Sequence, residues 1–269
     1  MYAIDHSLVS VFGELTPSAR SSMLRTPPWS FPQARVLYQP AFLPIELARA
    51  ATPAADGNLN LLSFAGWTLG GIFVVEWTTS PFGPYREVAV LSALVSRGLS
   101  IGAWASHIFV DRSEAAEAGR SVFGLPAQLT KIRFENAHIG GPDHVRCHFA
   151  EDEVSVSGWD GWLPTERLHT TTVHAPFTVS LPSFSGWLPA QPEHLQGHTA
   201  LLRYPLTLSS VRRARLQPAM TGSMSASADD KLLRGILTSL RPASPCFRVD
   251  GVDVLAGCPE ILASGTESG

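Results

Sequence analysis

The chain has 269 residues, of which 45% are hydrophobic and 16% are charged, against the roughly 25% charged residues of an average soluble domain. The hydrophobic fraction is enough for a sizeable core, and the formal net charge of -3 argues against nucleic-acid binders, which carry a basic excess. So few charges predict a surface covered by a partner, by further copies of the chain or by a membrane face, unless a large interior cavity takes up the apolar residues.

The three cysteines, Cys147, Cys246 and Cys258, are odd in number and lack C-x-x-C spacing, so they predict neither a disulfide framework nor a zinc site. No apolar run approaches the ~20 residues that span a bilayer. Residues 1–26 carry Asp5 and Glu14 and lack a long apolar stretch, which argues against a secretory signal. We expect them to form a flexible leader, with an organelle transit segment as the alternative.

Ordered structure is predicted to begin at Pro27, because two consecutive prolines fix an extended backbone. Residues 35–38 are predicted to form a strand, and 44–51 a short helix with proline in its first turn. β-Branched and aromatic residues separated by glycine then predict adjacent antiparallel strands at 58–67, 70–77, 87–95 and 101–110.

The clearest helix is predicted at 113–123. Asp111 or Ser113 is placed to cap its N-terminus, and Gly124 ends it, with Pro126 two residues later. An amphipathic helix is predicted at 229–240. Strands are predicted between and after these helices, at 129–134, 145–149, 154–157, 168–173, 178–181, 201–208 and 252–255.

Many short strands with few helices predict a mainly β (α+β) fold, which is a closed antiparallel sheet or a sandwich with peripheral helices. No repeat period and no long linker divide the sequence. We therefore expect residues 27–269 to form a single domain.

One ordered set of motifs carries a family resemblance. Residues 80–87, Ser-Pro-Phe-Gly-Pro-Tyr-Arg-Glu, lead into an apolar strand, and residues 111–120, Asp-Arg-Ser-Glu-Ala-Ala-Glu-Ala-Gly-Arg, are followed by Gly-Leu-Pro at 124–126. A carboxylate at the head of a strand, a helix ending in Gly-Arg and a proline before the next strand resemble the acetoacetate decarboxylase superfamily. The resemblance implies a conical antiparallel β-barrel that encloses an apolar cavity.

The sequence departs from the decarboxylases just after that proline. Two consecutive lysines follow it in those enzymes, and the corresponding places here are Ala127 and Gln128. A lysine amine forms the iminium through which a β-keto acid loses CO2, and the adjacent cation lowers the pKa of that amine. Alanine offers no nucleophile and glutamine no charge, so decarboxylation is not expected. Lys131, four residues past Ala127 on the same predicted strand face, is the one substitute amine considered, with a surface lysine as the simpler interpretation.

Further blocks resemble one subgroup, the neoxanthin-deficient proteins of carotenoid metabolism. They are Ala-Gly-Trp-Thr-Leu-Gly-Gly at 65–71, Gly-Leu-Pro-Ala-Gln at 124–128 and Leu-Pro-Ser-Phe-Ser-Gly at 181–186. That subgroup also lacks the lysine pair. The resemblance extends over residues 27–220 in scattered blocks and implies a role in xanthophyll synthesis.

Glu87 matches the active-site carboxylate of the superfamily. In an apolar barrel its pKa would rise, which suits a general base, and Tyr85 or His107 would be its acid partner. Residues 103–108 alternate, so one of two sets faces inward: Ala103, Ala105 and His107, or Trp104, Ser106 and Ile108. The candidate ligand contacts are Arg35, Trp104, Pro126, Ala127 and Gln128.

No metal and no cofactor are predicted. His144 and His148 share one predicted strand face, but two histidines without a placed carboxylate are a weak metal signal. The sequence also lacks a nucleophile elbow and a phosphate-binding glycine loop.

Two functions stay open. The first is an enzyme of xanthophyll (neoxanthin-type) biosynthesis, an isomerase or lyase that opens an epoxide to an allene by acid/base catalysis without a Schiff base. The second is a non-catalytic protein that binds an apolar ligand such as a carotenoid, or an accessory protein. A weaker third is a Schiff-base lyase or aldolase that uses Lys131.

The expected partner is a small apolar ligand and not a nucleic acid. We also expect association with a membrane surface and assembly into a homo-oligomer. The protein is expected to be intracellular and soluble, in the plastid if the source is photosynthetic and in the cytoplasm otherwise.

Overall fold

The computed structural model describes residues 27–52, 59–135, 143–149, 152–159, 177–185, 199–221, 227–244 and 246–262. The predicted leader at 1–26 and the strand predicted at 168–173 lie outside these ranges. The side chains of His144 and His148 are likewise outside what the structure describes.

Strands dominate the described residues. In chain order the elements are β1 (Trp29–Pro44), α1 (Ile45–Ala51), β2 (Asn60–Leu62), β3 (Trp67–Trp77), β4 (Tyr85–Arg97), β5 (Ser100–Val110), α2 (Ser113–Phe123), β6 (Ala127–Leu129), β7 (Lys131–Glu135), β8 (Asp143–Phe149), β9 (Asp152–Trp159), β10 (Phe177–Ser185), β11 (Thr199–Thr221), α3 (Ala228–Ser239), β12 (Arg241–Pro242), β13 (Cys246–Ala256) and β14 (Glu260–Leu262).

Seven of these strands close into a barrel. The order around the ring is β10-β5-β4-β3-β1-β13-β11, and β11 pairs with β10 to complete it. Six of the seven contacts are antiparallel, while β10 meets β5 in parallel. A closed ring with an odd number of strands cannot alternate direction throughout, so one pair has to be parallel. The predicted closed β-barrel with peripheral helices is therefore confirmed, and the sheet is mixed where a wholly antiparallel one was expected.

Strand β11 is long enough to serve two parts of the sheet. Its first half lies in the barrel, and its second half continues outward to pair with β9, followed by β8 and β7. Strand β6 adds to β5 in parallel, outside the seven-stranded ring.

The alternation of side chains along each strand divides the core into two layers. On β3, Phe73, Val75 and Trp77 face the inside of the barrel, whereas Ile72 and Val74 face outward. The outward layer is covered by α1 and α3, which contribute residues such as Ala48 and Ile236. The inward layer surrounds the cavity described below.

Helix α2 has the predicted bounds, and Gly124 ends it in the left-handed conformation with φ 62°. The predicted cap is wrong: within the described residues no side chain caps this helix. The Asp111 carboxylate instead accepts the backbone N–H of Arg86 at 2.7 Å, which ties the start of the helix to β4. None of the described helices is both long enough and apolar enough to cross a membrane.

Candidate functional site in the barrel

The barrel encloses a cavity of about 400 Å³. Its walls are apolar side chains from β1, β3, β4, β5, β10, β11 and β13, and from α2 and β6. They include Phe31, Phe73, Ala89, Leu91, Ala105 and Leu206. This volume is at the lower end of the ~300–1,000 Å³ typical of ligand pockets.

One end of the cavity is closed by aromatic rings. Trp29 meets Phe82 and Phe123 edge to face, each with ring centroids 5.0 Å apart. Phe123 and the buried Ala115 both belong to α2, and this helix covers the closed end. The closed end therefore excludes water from the groups that face it.

The other end lies near the β4–β5 turn, where Leu94 and Ile101 line the cavity and Ile101 is 51% exposed. Glu87 and Leu94 are seven residue steps apart on β4, about 23 Å at ~3.3 Å per step. With the usual strand tilt, this becomes roughly 18 Å along the barrel axis. The cavity is thus long for its volume, with its opening far from Glu87.

Glu87 projects into the closed half of the cavity. It follows Tyr85 and precedes Ala89 on the inward face of β4, so strand alternation places all three in the lining. The Trp77 indole N–H donates to Glu87 Oε2 at 2.9 Å, and the Tyr85 hydroxyl donates to the same oxygen at 3.5 Å. Among the described residues, the other oxygen, Oε1, has no hydrogen-bond partner.

The cavity raises the pKa values of its carboxyl and of two of its phenols above their values in water. Burial raises the pKa of Glu87, although the hydrogen bonds from Trp77 and Tyr85 partly oppose the shift. Burial, together with the nearby Glu87 carboxylate, raises the pKa of Tyr85 and of Tyr204. Both phenols thus stay O–H donors at neutral pH. The arrangement supplies one carboxyl able to take a proton and two phenols able to give one.

Sequence reasoning found Glu87 and Tyr85 but missed Trp77 and Tyr204. Leu202, Tyr204 and Leu206 are spaced two residues apart on β11, so they share the inward face of that strand. That alternation was the available signal, but it does not show that β11 comes close to β4.

Ala127 also lines the cavity. It pairs in parallel with Ile108 of β5, its carbonyl accepts a hydrogen bond from the Arg120 guanidinium, and Gly119 of α2 lies directly behind it. Gln128, the next residue, is exposed because successive strand side chains face opposite ways. The prediction that Gln128 contacts a ligand in the cavity is wrong, and Pro126, which is also exposed, lies outside the lining.

The predictions that placed His107 and Trp104 at the site are also wrong. The register between β4 and β5 shifts near Leu91, where Ser106 becomes an extra residue on β5. Ala103 and Ala105 face the cavity before this bulge, and Ile108 faces it afterwards, so neither predicted set is inward as a whole. His107 instead lies outside the barrel, with Nε2 3.3 Å from Asp229 Oδ1 of α3.

Trp104 packs in the outer layer and donates its indole N–H to the backbone oxygen of Ala51 at 3.2 Å. Arg35 is on the outside of β1, where its side chain is 58% exposed and lies 3.2 Å from Glu76 and 3.8 Å from Asp250. Both predicted ligand contacts are therefore surface or packing residues.

Known proteins resemble this chain in part of its sequence and in its overall fold. No family model matches the chain. It is 34% identical over 117 residues to Protein NEOXANTHIN-DEFICIENT 1 of Oryza sativa subsp. japonica, covering 44% of this chain and 37% of that protein. It is 37% identical over 106 residues to the protein of that name from Solanum lycopersicum, covering 39% and 35%. The resemblance to the neoxanthin-deficient proteins is confirmed, and the match spans little more than one third of their length.

Solved structures resemble the chain over nearly its whole length. The enduracididine biosynthesis enzyme MppR complexed with pyruvate has a TM-score of 0.57 at 15% identity, covering 98% of this chain and 99% of that one. Acetoacetate decarboxylase from Legionella pneumophila has a TM-score of 0.56 at 13% identity, covering 88% of each chain. The fold is acetoacetate decarboxylase-like. An acetoacetate decarboxylase-like enzyme from Sphingomonas wittichii RW1 agrees, with a TM-score of 0.57 at 14% identity, covering 93% and 97%.

In this acetoacetate decarboxylase-like barrel, no lysine is among the described residues that line the cavity. The chain has two lysines, Lys131 and Lys231, and both are exposed away from the lining. Among the described residues of the lining, Glu87 is the only charged group. The described residues also contain no group of three or more His, Cys, Asp or Glu arranged to hold a metal ion.

Proposed function

We propose that the protein acts in xanthophyll biosynthesis and opens a carotenoid epoxide to an allenic alcohol by acid/base catalysis inside the barrel. The observation that carries the proposal is Glu87, a buried carboxyl with a raised pKa in a mostly apolar cavity, whose Oε1 has no hydrogen-bond partner among the described residues. The name of these relatives, which refers to neoxanthin, supports the substrate class.

The proposed reaction needs one base and one acid. Glu87 Oε1 takes the proton from the polyene carbon next to the epoxide ring. The electron pair of that C–H bond forms a new carbon–carbon double bond, and the adjacent epoxide C–O bond breaks. The oxygen released takes a proton from the Tyr85 hydroxyl. Rotation of the protonated Glu87 carboxyl then brings this proton to the Tyr85 phenolate, whose oxygen lies 3.5 Å from Glu87 Oε2 in the resting site. The base and the acid are both restored, so substrate and product are isomers and no redox step occurs.

The dimensions of the cavity suit one end of such a substrate. About 400 Å³ holds a substituted ring and the first part of a polyene, while the remainder of the molecule extends through the open end. Tyr204 is a second donor near Glu87. Its place in the lining makes it the residue to hold a hydroxyl on the ring.

Purified protein incubated with an epoxy-xanthophyll in detergent micelles tests this proposal, with the allenic product separated by chromatography. Glu87→Gln should lower turnover by about 10²–10⁴-fold, the usual contribution of a general base, and Tyr85→Phe should also lower it. Glu76→Gln is the matched control, because Glu76 is on the neighbouring strand but faces outward. Loss of turnover in the control to the same extent would contradict the assignment of Glu87.

A second candidate is a non-catalytic pigment-binding or accessory protein, which the almost wholly apolar lining favours. Tight pigment binding by wild type without turnover would decide for this candidate, and absence of both binding and turnover would contradict both. The Schiff-base alternative is not retained, because Lys131 is exposed away from the cavity. Assembly into a homo-oligomer and a plastid location in a photosynthetic source stay predictions.

A further inference from the structure

Glu87 is a carboxyl that the described residues leave without a cation. The two groups that donate to it, the Trp77 indole N–H at 2.9 Å and the Tyr85 hydroxyl at 3.5 Å, both meet Oε2. Arg86, the next residue along β4, turns to the outside of the barrel, where it lies 3.8 Å from Glu76. No lysine, arginine or histidine is among the described residues of the lining. Because an unpaired charge is costly in an apolar interior, the carboxylate favours a ligand that brings a cation.

The carboxyl can be reached through the length of the cavity. Its side chain keeps some accessible area, since it faces open cavity space. The opening near Leu94 and Ile101 is roughly 18 Å away along the barrel axis, within a cavity of about 400 Å³. A ligand that reaches Glu87 therefore has to be long and slender, with its charged group at one end and an apolar chain along walls such as Leu91 and Ala105.

The groups around Glu87 suit a small cation. The rings of Phe31 and Trp77 have centroids 4.8 Å apart, and those of Trp77 and Tyr85 are 6.0 Å apart. Aromatic rings attract cations through their faces. Tyr204 also lies near Glu87, whose carboxylate contributes to the raised pKa of that phenol. Each phenol oxygen has lone pairs that can accept an N–H.

The hydrogen bonds at Glu87 distinguish between kinds of cation. A guanidinium donates to both oxygens of a carboxylate at once, but Oε2 already accepts two donors. Calcium or magnesium ions need several oxygen ligands, and the described residues contain no group of three or more His, Cys, Asp or Glu arranged to hold one. A primary ammonium is a compact charge with three N–H donors. It needs one accepting oxygen, which Oε1 supplies, and a few neutral acceptors beside it.

We propose that the cavity binds a primary amine on a slender apolar chain as its ammonium ion, with one N–H donating to Glu87 Oε1 and the chain directed toward the open end. The other N–H groups donate to the hydroxyl oxygens of Tyr85 and Tyr204. The inference uses the same carboxyl as the proposed reaction but depends on neither turnover nor pigment. An amine bound in this way would also block that reaction, because it takes the oxygen that serves as the base.

Calorimetric titration of the purified full chain with ligands of equal chain length tests the inference. The ligands are n-octylamine, 1-octanol and octanoate, measured at about pH 8, where a primary amine is charged. Octylamine should bind at least about tenfold more tightly than octanol, because hydrogen bonds between charged groups are the stronger ones. Octanoate should bind more weakly than octanol, since its carboxylate would meet that of Glu87. Octanol should compete with octylamine, because both occupy the cavity.

One substitution separates the charge from the cavity. Glu87→Gln keeps the size of the side chain and should lower the affinity for octylamine at least about tenfold, while the affinity for octanol changes less than about threefold. Retained octanol binding shows that the variant is folded. Glu76→Gln, the matched control at an outward-facing carboxylate, should bind both ligands as wild type does.

The pH adds an independent readout. Lowering the pH from about 8 to about 5 should weaken the binding of octylamine but not of octanol, because burial raises the pKa of Glu87 and a protonated carboxyl has no charge to pair with ammonium. The other titratable groups of the described lining, Tyr38, Tyr85 and Tyr204, stay protonated over this range, since burial raises the pKa of each.

Two results would overturn the inference. One is octylamine that binds wild type no more tightly than octanol does, and the other is a Glu87→Gln chain that keeps the wild-type affinity for octylamine. Epoxide turnover without amine binding would reject this inference and leave the proposed function standing. Amine binding through Glu87 without epoxide turnover would do the reverse.

Discussion

Replacing Glu87 with glutamine should make the protein more stable at neutral pH. The substitution keeps the size and shape of the side chain, and the amide oxygen still accepts the Trp77 indole N–H that Glu87 accepts at 2.9 Å. It removes a carboxylate from a cavity in which Glu87 is the only charged group among the described lining residues.

The sign and size of the effect follow from the pKa. Burial raises the pKa of Glu87 in the folded chain above its ordinary value, so between those two pKa values the folded state holds more protons than the unfolded state. Stability from this group is full below the ordinary glutamate pKa of about 4.3 and is lost as the pH rises through the raised value. Each pKa unit of elevation corresponds to about 1.4 kcal/mol, which Glu87→Gln should recover at neutral pH.

Denaturant unfolding of wild type and Glu87→Gln, measured from pH 4 to about pH 8, is the assay. The stability difference between the two chains should grow with pH and then level off above the raised pKa. Glu76→Gln, which changes an outward-facing carboxylate, should not show this pH-dependent gain. A Glu87→Gln chain that is less stable than wild type at neutral pH would refute the view that burial, rather than hydrogen bonding, dominates at this carboxyl.

Three further predictions concern the supports of the barrel. Burial lowers the pKa of His107, with the Asp229 carboxylate partly opposing the shift. As the pH drops below about 6.5, the unfolded chain therefore binds a proton at His107 before the folded chain does, and stability should fall. His107→Gln should flatten that fall, as measured by thermal unfolding. Gly119→Ala would bring two methyl carbons to 2.9 Å and should cost about 1–3 kcal/mol in denaturant unfolding, which Ala127→Gly should relieve; additive effects in the double variant would contradict the contact. Gly70→Ala would drive a Cβ into a backbone oxygen of β4 and should cost more than about 3 kcal/mol, and an unchanged melting temperature would contradict the close approach.

Local signals were enough to predict the elements of the fold but not how they close. Gly124, with φ 62°, ends α2 where the sequence predicted, because a left-handed residue is a local requirement that glycine meets. Strand β1 shows the opposite case. Only 35–38 were predicted, yet the strand runs from Trp29 to Pro44. A shift in register near Gln33, at φ 57°, accommodates Pro32 within it. The odd strand number and its parallel closure depend on long-range pairing that no local pattern records.

In the candidate site too, residues marked by local signals were predicted, and those that depend on long-range pairing were not. Glu87 and Tyr85 were found from a motif whose residues are close in sequence, and both line the cavity. His107 was placed by extending a strict alternation along β5. One bulge at Ser106 turns it to the outer face of the barrel, where it is buried beside α3. Strand periodicity predicts orientation only between bulges, and a bulge is a three-dimensional adjustment between two strands.

The energetics of Glu87 connect the fold to the proposed function. An apolar barrel would be more stable with a neutral side chain at this position, since the described lining offers the carboxylate two hydrogen bonds but no cation. Carboxyls whose pKa is raised by burial in an enclosed cavity are typical of sites that act on a ligand. The same cavity holds a methyl group at Ala127, so a ligand carbonyl would find no lysine amine to react with there. Acid/base catalysis by a carboxyl, without a covalent intermediate, is consistent with both Glu87 and Ala127. Its substrate would be as apolar as the cavity walls.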